Sequence, residues 1–170
     1  MARQSKWLIM KIQIAGIVKN SIVDGPGIRY TVFGQGCPLK CKGCHNPHTH
    51  DFNGGESVDI STIAQQIAQD PLLDGVTFSG GEPFVQAEAF AALAKLLDKR
   101  HIICYTGYTF EELLQQSDAR NLLKSIDVLI DGRFSDENKS LTLKFKGSKN
   151  QRTIDSKESI KRGKVIEIQL

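Results

Sequence analysis

The chain has 170 residues, of which 40% are hydrophobic and 24% are charged, and its formal net charge is +3. This length predicts one domain and is too short for a complete (β/α)8 barrel, which takes about 250 residues. The composition excludes a disordered chain, a collagen and a coiled coil. There is no apolar run of the ~20 residues that a membrane helix needs and no signal peptide, so we expect a cytoplasmic protein without membrane contact.

The predicted elements alternate between strands and helices along most of the chain. Strands are predicted at residues 8–18, 28–34, 76–79, 101–105 and 126–130, with a last one at 165–168. Apolar residues at helical spacing predict helices at residues 60–68, 90–97 and 110–116. Strands that alternate with helices indicate βαβ units and a parallel sheet. We therefore predict an α/β fold with four or five parallel strands, fewer than a complete barrel contains.

Two loops in this pattern are candidates for a binding site. Residues 34–55 are rich in Gly, Pro, Cys, His and Asn and show no periodicity, and loops of this length are usually functional. The loop follows a predicted parallel strand, at the sheet edge where α/β proteins bind ligands. The next parallel strand ends in residues 79–83 (SGGEP), whose glycines let a ligand approach the backbone closely. We expect the two loops to form one site.

The first loop carries three of the four cysteines, and in the cytosol such cysteines are more often ligands or nucleophiles than disulfides. Cys37, Cys41 and Cys44 have the spacing C-x3-C-x2-C, which suits a soft metal centre. One interpretation is a structural zinc, with His45 or His48 as the fourth ligand. The other is a 4Fe–4S cluster held by three thiolates, with one iron left open to another ligand. The spacing alone fits both.

A family resemblance separates these interpretations. Residues 36–47 (GCPLKCKGCHNP) together with residues 80–83 (GGEP) resemble the radical S-adenosylmethionine (radical SAM) superfamily. Residues 24–29 (DGPGIR) are similar to the activases of glycyl-radical enzymes within it. Three later segments resemble the activating proteins of anaerobic ribonucleoside-triphosphate reductases: residues 105–112, 127–134 and 147–152. The resemblance covers residues 18–154 and implies a truncated radical SAM (β/α) barrel with a mostly parallel sheet.

The resemblance implies roles for the residues of both loops. Cys37, Cys41 and Cys44 would bind three irons of a 4Fe–4S cluster, and S-adenosylmethionine would bind the fourth. Contacts to S-adenosylmethionine would come from Gly43, Cys44, His45, Ser79, Gly80, Gly81 and Glu82. Gly43 stands where many radical SAM enzymes carry an aromatic residue, which favours the ribonucleotide-reductase group. No catalytic side chain is expected beyond the cluster and S-adenosylmethionine.

The implied activity is that of a radical SAM oxidoreductase. A reduced cluster would cleave S-adenosylmethionine, and the 5′-deoxyadenosyl radical would take a hydrogen from a glycine Cα of anaerobic ribonucleoside-triphosphate reductase, leaving a glycyl radical. The electron donor would be a flavodoxin or a ferredoxin. One alternative is an activase of the pyruvate formate-lyase type, and another is an enzyme acting on a small substrate, such as 7-carboxy-7-deazaguanine synthase. A zinc or iron–sulfur binding module is the alternative outside the enzymes.

The C-terminal part of the chain is basic. We expect a core domain at residues 1–155 and a basic tail at residues 156–170. Residues 139–164 contain nine Lys or Arg and two acidic residues, a surplus that suits an acidic partner or a nucleic acid. Phe145 is the only aromatic residue there, so direct nucleic-acid binding is not expected. An incomplete barrel would leave one side open to a glycine-bearing loop of the partner.

Some polar and sulfur-bearing residues outside the two motifs have no assigned role. Cys104, in the middle of a predicted strand, is expected in the core. His48 and His50 are expected on the surface of the loop. Asp24, Arg29 and Asp131 fit either structural ion pairs or the rim of the active site.

Overall fold

The computed structural model describes residues 10–97 and 99–170, which form a mixed sheet with helices packed against it. The strands are β1 (Lys11–Ser21), β2 (Arg29–Gly34), β3 (Glu56–Asp59), β4 (Gly75–Gly80), β5 (His101–Tyr105), β6 (Val128–Asp131) and β7 (Arg152–Asp155). The α-helices are α1 (Ile60–Ala68), α2 (Ala87–Leu96), α3 (Phe110–Leu114), α4 (Ser117–Ser125) and α5 (Ser156–Arg162). Short 3-10 helices span Pro47–Thr49, Pro83–Gln86 and Asp136–Asn138.

The sheet has seven strands in the order β3-β1-β2-β4-β5-β6-β7. Strands β2, β4, β5 and β6 run parallel, and antiparallel strands flank them on both sides. Strands β3 and β7 form the two edges and do not pair with each other in the part of the chain that is described, so the sheet stays open. The predicted α/β class and mostly parallel, truncated barrel are confirmed. No helix among the described residues is long and apolar enough to cross a membrane.

Apolar side chains pack on both faces of the parallel strands. Ile102 and Cys104 belong to the large core that the sheet shares with α1, α2 and α4, whereas Ile103 lies in a smaller cluster. This alternation follows from the two-residue period of a strand. The smaller cluster also contains Val128 and Ile130, and it is covered by Tyr105, Phe145, Ile168 and Leu170. The second face of the sheet is therefore partly closed by C-terminal segments.

Most predicted elements agree with the structure, and the differences are the two edge strands, one helix and the C-terminal segment. The predicted strands at 28–34, 76–79 and 101–105 coincide with β2, β4 and β5, while residues 8 and 9 of the first predicted strand lie outside the described residues. Edge strands β3 and β7 were not predicted, because strands of four residues give little periodicity. Helix α4 was also missed, although its buried Ala119, Leu122 and Leu123 have helical spacing. The expected strand at 165–168 makes a single β-bridge, between Glu167 and Ile154. Residues 156–170, expected as a basic tail, form α5 and this segment.

The amino ends of the parallel strands are joined by a buried arginine. The side chain of Arg29 is 1% exposed and donates hydrogen bonds to the carbonyl oxygens of Val76 at 2.6 Å and His101 at 3.0 Å. Its Nε donates to Thr77 Oγ1 at 2.7 Å. Burial lowers the pKa of Arg29 to about 10, so the guanidinium remains charged at neutral pH. Among the ion pairs of the described residues, none involves Arg29, so its role is to satisfy strand carbonyls rather than a carboxylate.

Replacement of this arginine should destabilise the whole fold. Arg29→Met removes the side-chain donor to the carbonyl oxygens of Val76 and His101, and we expect the free energy of unfolding to fall by about 3 kcal/mol. Urea unfolding followed by circular dichroism measures the loss. Arg162→Met is the matched control, because Arg162 is exposed on α5 and its ion pair within residues 10–97 and 99–170 is with Glu158, so the loss should stay below about 0.5 kcal/mol. Equal losses in the two variants would contradict a structural role for Arg29.

Candidate functional site

A cavity of about 750 Å³ opens at the carboxyl ends of β2, β4 and β5. Most of the residues expected at the site line it: Cys37, Cys41, Cys44, His45, Ser79, Gly80, Gly81 and Glu82. Gly43 does not line the cavity; it is exposed, has a φ of +74° and lies beside Phe134 and Asp136. The structure thus brings together the two loops that the sequence placed at neighbouring strand ends.

Backbone hydrogen bonds join the two loops. The Gly81 N–H donates to the carbonyl oxygen of Gly34 at 2.8 Å, and the Glu82 N–H donates to that of Gly36 at 2.9 Å. Gly80 has a φ of +97°, and a Cβ built there would lie 2.6 Å from the Gly34 nitrogen. A Cβ on Gly81 would overlap the carbonyl oxygen of Gly36. Glycine is needed at both positions because the backbones of the two loops are in contact here. This is a second reason for glycine, besides the close approach of a ligand that the sequence suggested.

The cysteine loop is held by its own backbone. The Cys37 N–H donates to the carbonyl oxygen of His50 at 3.2 Å, which closes the loop at its base. The Cys44 N–H donates to the Cys41 carbonyl oxygen at 3.2 Å, and the Asn46 N–H donates to Cys44 Sγ at 3.4 Å. Cys37 is buried, and burial raises the pKa of its thiol, while Cys41 and Cys44 are partly exposed. Backbone hydrogen bonds therefore shape the loop that carries the three thiols.

The donor set fits an iron–sulfur cluster. No three Cys, His, Asp or Glu side chains among the described residues are grouped closely enough to hold one metal ion. A 4Fe–4S cluster binds each thiolate through a different iron, so its ligands surround a space instead of meeting at a point. Three thiols on the wall of one cavity match that requirement. His48, one candidate fourth ligand for zinc, is exposed and does not line this cavity.

Glu82 connects the loops that follow β4 and β5. Its side chain is 1% exposed and accepts hydrogen bonds from the Phe84 N–H at 3.1 Å and the Gly107 N–H at 2.9 Å. The Thr106 hydroxyl also donates to it, at 2.9 Å. Burial raises the pKa of Glu82 from 4.5 to about 7, against the effect of these hydrogen bonds. The carboxylate is thus already engaged within the protein and fixes the shape of the cavity floor.

This buried carboxyl group should make stability depend on pH. Since its pKa is higher in the folded than in the unfolded chain, its favourable contribution is complete below about pH 4.5 and is lost as pH rises through about 7. We expect the cluster-free protein to lose about 2 kcal/mol of unfolding free energy from this group between pH 5 and pH 8. Glu82→Gln should flatten this part of the profile in urea unfolding. Glu88→Gln, at an exposed position on α2, should leave the profile as in the wild type.

The structure distinguishes the positions of the three charged residues whose roles the sequence left open. Asp24 lines the cavity, and its Oδ2 accepts a hydrogen bond from the Thr31 hydroxyl at 3.1 Å. Asp131 is buried, forms an ion pair with Arg152 at 2.6 Å and accepts the Phe110 N–H at the start of α3 at 2.7 Å. Arg29 lies at the opposite end of the sheet. Asp24 therefore belongs to the site, whereas Asp131 and Arg29 support the fold.

The sequence analysis missed several residues of the cavity. Thr106 and Gly107 follow β5, the third parallel strand, and the rule that located the other two loops would have located them. Phe134 follows β6, and its ring lies 4.8 Å from the His45 ring, centroid to centroid. His50, expected on the surface, also lines the cavity, and its Nε2 is buried without a hydrogen-bond partner in the described structure. Cys104 is buried in β5, as predicted.

Comparison with protein families gives one match over most of the chain. A family model described as a 4Fe-4S single cluster domain matches residues 23–154. This range begins just before β2 and ends within β7, so it contains the cysteine loop and all four parallel strands. The match favours the iron–sulfur interpretation of the three cysteines over zinc.

Curated relatives match the chain at 33% to 38% identity. An anaerobic ribonucleoside-triphosphate reductase-activating protein from Haemophilus influenzae is 36% identical over 142 residues, which cover 76% of this chain and 89% of the relative. A protein of the same name from Enterobacteria phage T4 is 33% identical over 140 residues, covering 76% and 85%. A pyruvate formate-lyase-activating enzyme from Clostridium pasteurianum is 38% identical over 117 residues, covering 62% of this chain and 49% of that enzyme. The chain thus spans about half the length of that last relative and most of the other two.

A solved structure shares the fold. The crystal structure of QueE from Escherichia coli matches with a TM-score of 0.50 over 59% of this chain and 54% of that one. The sequence identity is 19%, so the similarity concerns the arrangement of strands and helices alone.

Proposed function

The chain belongs to the anaerobic ribonucleoside-triphosphate reductase-activating proteins, a 4Fe–4S family of radical SAM activases, and on that basis we propose that it installs a glycyl radical on such a reductase. The resemblance drawn from residues 18–154 is confirmed. The observation that carries the proposal is the single cavity where three cysteines face the SGGEP loop at the carboxyl ends of parallel strands. Its residues fit a cluster and S-adenosylmethionine together.

In this proposal the three thiols of Cys37, Cys41 and Cys44 hold the cluster. When bound, the cluster and S-adenosylmethionine supply reductive cleavage to methionine and a radical that removes a hydrogen from the glycine Cα. The protein supplies position and exclusion of water. The backbone of Gly80 and Gly81 forms the cavity wall beside the cysteine loop, which suits the methionine part of the ligand.

Two carboxyl groups have distinct functions in this assignment. Asp24 lies on the cavity wall and complements the positive charge of S-adenosylmethionine. Glu82 acts as a positioning residue, because its side chain is occupied by the Thr106 hydroxyl and the Gly107 N–H. The His45 ring, packed against Phe134, borders the same cavity and can contact the adenine. Gly43 does not line the cavity itself, and its left-handed conformation forms the turn of the loop beside Phe134.

The electrons come from outside the chain in this proposal. An acidic flavodoxin or ferredoxin suits the net charge of +3 and the lysines around the cysteine loop, Lys40 and Lys42, which are exposed. The substrate is a glycine on the partner polypeptide, so the site is completed only when the partner is bound.

The test is formation of 5′-deoxyadenosine by anaerobically reconstituted, reduced protein with S-adenosylmethionine, with and without the reductase. We expect cleavage to rise with the reductase and a glycyl radical to appear on it in electron paramagnetic resonance spectra. Equal rates of cleavage with and without the reductase would point to a small-molecule substrate. Protein that binds zinc and cleaves nothing would contradict the proposed activity.

A further inference from the structure

Two exposed loops border the mouth of the cavity. The first, which we call the β1–β2 turn, is residues 18–23, the end of β1 with the two residues after it, and the second, the arm, is residues 139–149. Val23 in the turn is 74% exposed and Leu141 in the arm is 94% exposed, yet both line the cavity. Ile22 is 72% exposed beside them. Large apolar side chains gathered in solvent around one opening are typical of an interaction surface.

Contacts at the base of the arm fix its position, and they hold Leu141 where its side chain is exposed. Lys139 and Ser148 form a β-bridge across the base of the arm. The Tyr105 hydroxyl, at the end of β5, donates to the carbonyl oxygen of Phe145 at 2.7 Å. The Phe145 ring packs against the small cluster on the second face of the sheet. The arm is therefore anchored to the strand that ends at the cavity.

Phe145 also adopts an unusual backbone conformation. Its φ is +56°, a region that bulky residues rarely occupy and that costs of the order of 1 kcal/mol or more. Such a conformation persists only when the surrounding contacts enforce it, and here the Tyr105 hydrogen bond and the packing of the ring do so. The arm in which this conformation occurs lines the cavity with Leu141, Leu143 and Phe145.

The arm is strongly basic. Residues 139–149 contain four lysines and no acidic residue: Lys139, Lys144, Lys146 and Lys149. None of these lysines takes part in the ion pairs formed among residues 10–97 and 99–170. Lys19, in the β1–β2 turn, is exposed as well. A partner that binds at this opening is therefore favoured if it carries negative charges next to apolar side chains.

We propose that the arm and the β1–β2 turn form the docking surface for an extended, acidic segment of the partner reductase, a statement that rests on the proposed function. Apolar side chains of the segment pack on Leu141 and Val23, and its carboxylates face the lysines of the arm. The segment thereby presents the neighbouring glycine to the cavity. A small substrate held inside the cavity would leave these apolar side chains exposed to solvent, whereas a polypeptide segment at the opening would cover them.

The test is the affinity of the cluster-loaded protein for the reductase, measured anaerobically by isothermal titration calorimetry with S-adenosylmethionine present. Leu141→Ser should weaken binding about tenfold, as expected for a central apolar contact. Lys144→Gln combined with Lys146→Gln should weaken binding and reduce its salt dependence. The matched controls are Leu72→Ser, 70% exposed and away from the cavity, and Lys124→Gln on α4, and both should bind like the wild type.

Three outcomes would overturn parts of this inference in different ways. If the wild type installs the radical and the arm variants bind the reductase normally, the docking surface is wrong while the proposed function stands. If the lysine variants slow reduction of the cluster by its electron donor at unchanged reductase affinity, the lysines dock the donor instead. If the wild type binds the reductase but leaves no radical on it, the proposed function itself is wrong.

Discussion

Cleavage of S-adenosylmethionine is lost when Cys37, Cys41 or Cys44 is replaced by alanine, and this is the largest effect that we expect. Each thiol lies on the wall of one cavity, in a loop already shaped by hydrogen bonds. No other cysteine lines the cavity to replace a missing ligand, since Cys104 is buried in β5. We expect 5′-deoxyadenosine formation to fall at least ~10³-fold in each variant. Anaerobic reconstitution followed by chromatographic assay measures it.

The matched control for these variants is Cys104→Ala. Its thiol is fully buried, and burial raises the pKa of that thiol well above its usual value, so it stays protonated and apolar in character. We expect full cluster content and full cleavage, with a loss of stability of about 1 kcal/mol. Substantial cleavage by any one of the other three variants would show that this cysteine is not a ligand.

The second large effect is expected from Gly81→Ala. The new methyl group would overlap the carbonyl oxygen of Gly36, which is backbone and has no room to move while the Glu82 N–H is bonded to it. The β4 loop must then separate from the cysteine loop, and the binding surface for the methionine group is lost. We expect at least ~10²-fold weaker cleavage, with weaker binding of S-adenosylmethionine at retained cluster content.

Gly16→Ala serves as the comparison for this glycine. Gly16 lies in β1, and a Cβ there would meet nothing within 4 Å. We expect its cluster content, ligand affinity and cleavage to match the wild type. If Gly81→Ala also behaves like the wild type, the close contact between the two loops has no part in ligand binding. Iron analysis and equilibrium dialysis with S-adenosylmethionine distinguish loss of the cluster from loss of the ligand.

The parallel half of the fold and the core of the site could be predicted from the sequence. Strands such as β4 and β5 are short, apolar and bounded by glycine or polar residues, and their order along the chain is their order in the sheet. Ligand-binding loops at carboxyl strand ends then follow from the topology. Cys37 and Glu82 are 45 residues apart in sequence and line the same cavity for this reason.

The remaining parts depend on contacts that no local pattern reveals. Glu82 accepts a hydrogen bond from the Thr106 hydroxyl, and this contact could not be predicted because it depends on the pairing of β4 with β5. The function of Arg29 likewise depends on carbonyl groups from two later strands. Strand β3 is four residues long and is added beside β1, far from its neighbours in the sequence. Long-range pairing of this kind leaves no periodic signal.

The hydrogen bond from the Cys37 N–H to the His50 carbonyl oxygen closes the cysteine loop, and this affects how the protein responds to oxygen. Backbone hydrogen bonds of this kind do not use the thiol groups, so we expect them to hold the base of the loop when oxygen destroys the cluster. Cys41 and Cys44 are partly exposed, so we expect iron and sulfide to reach them while the sheet stays folded. We therefore expect protein that has lost its cluster to oxygen to regain the cluster, and with it the cleavage activity, when anaerobic conditions return.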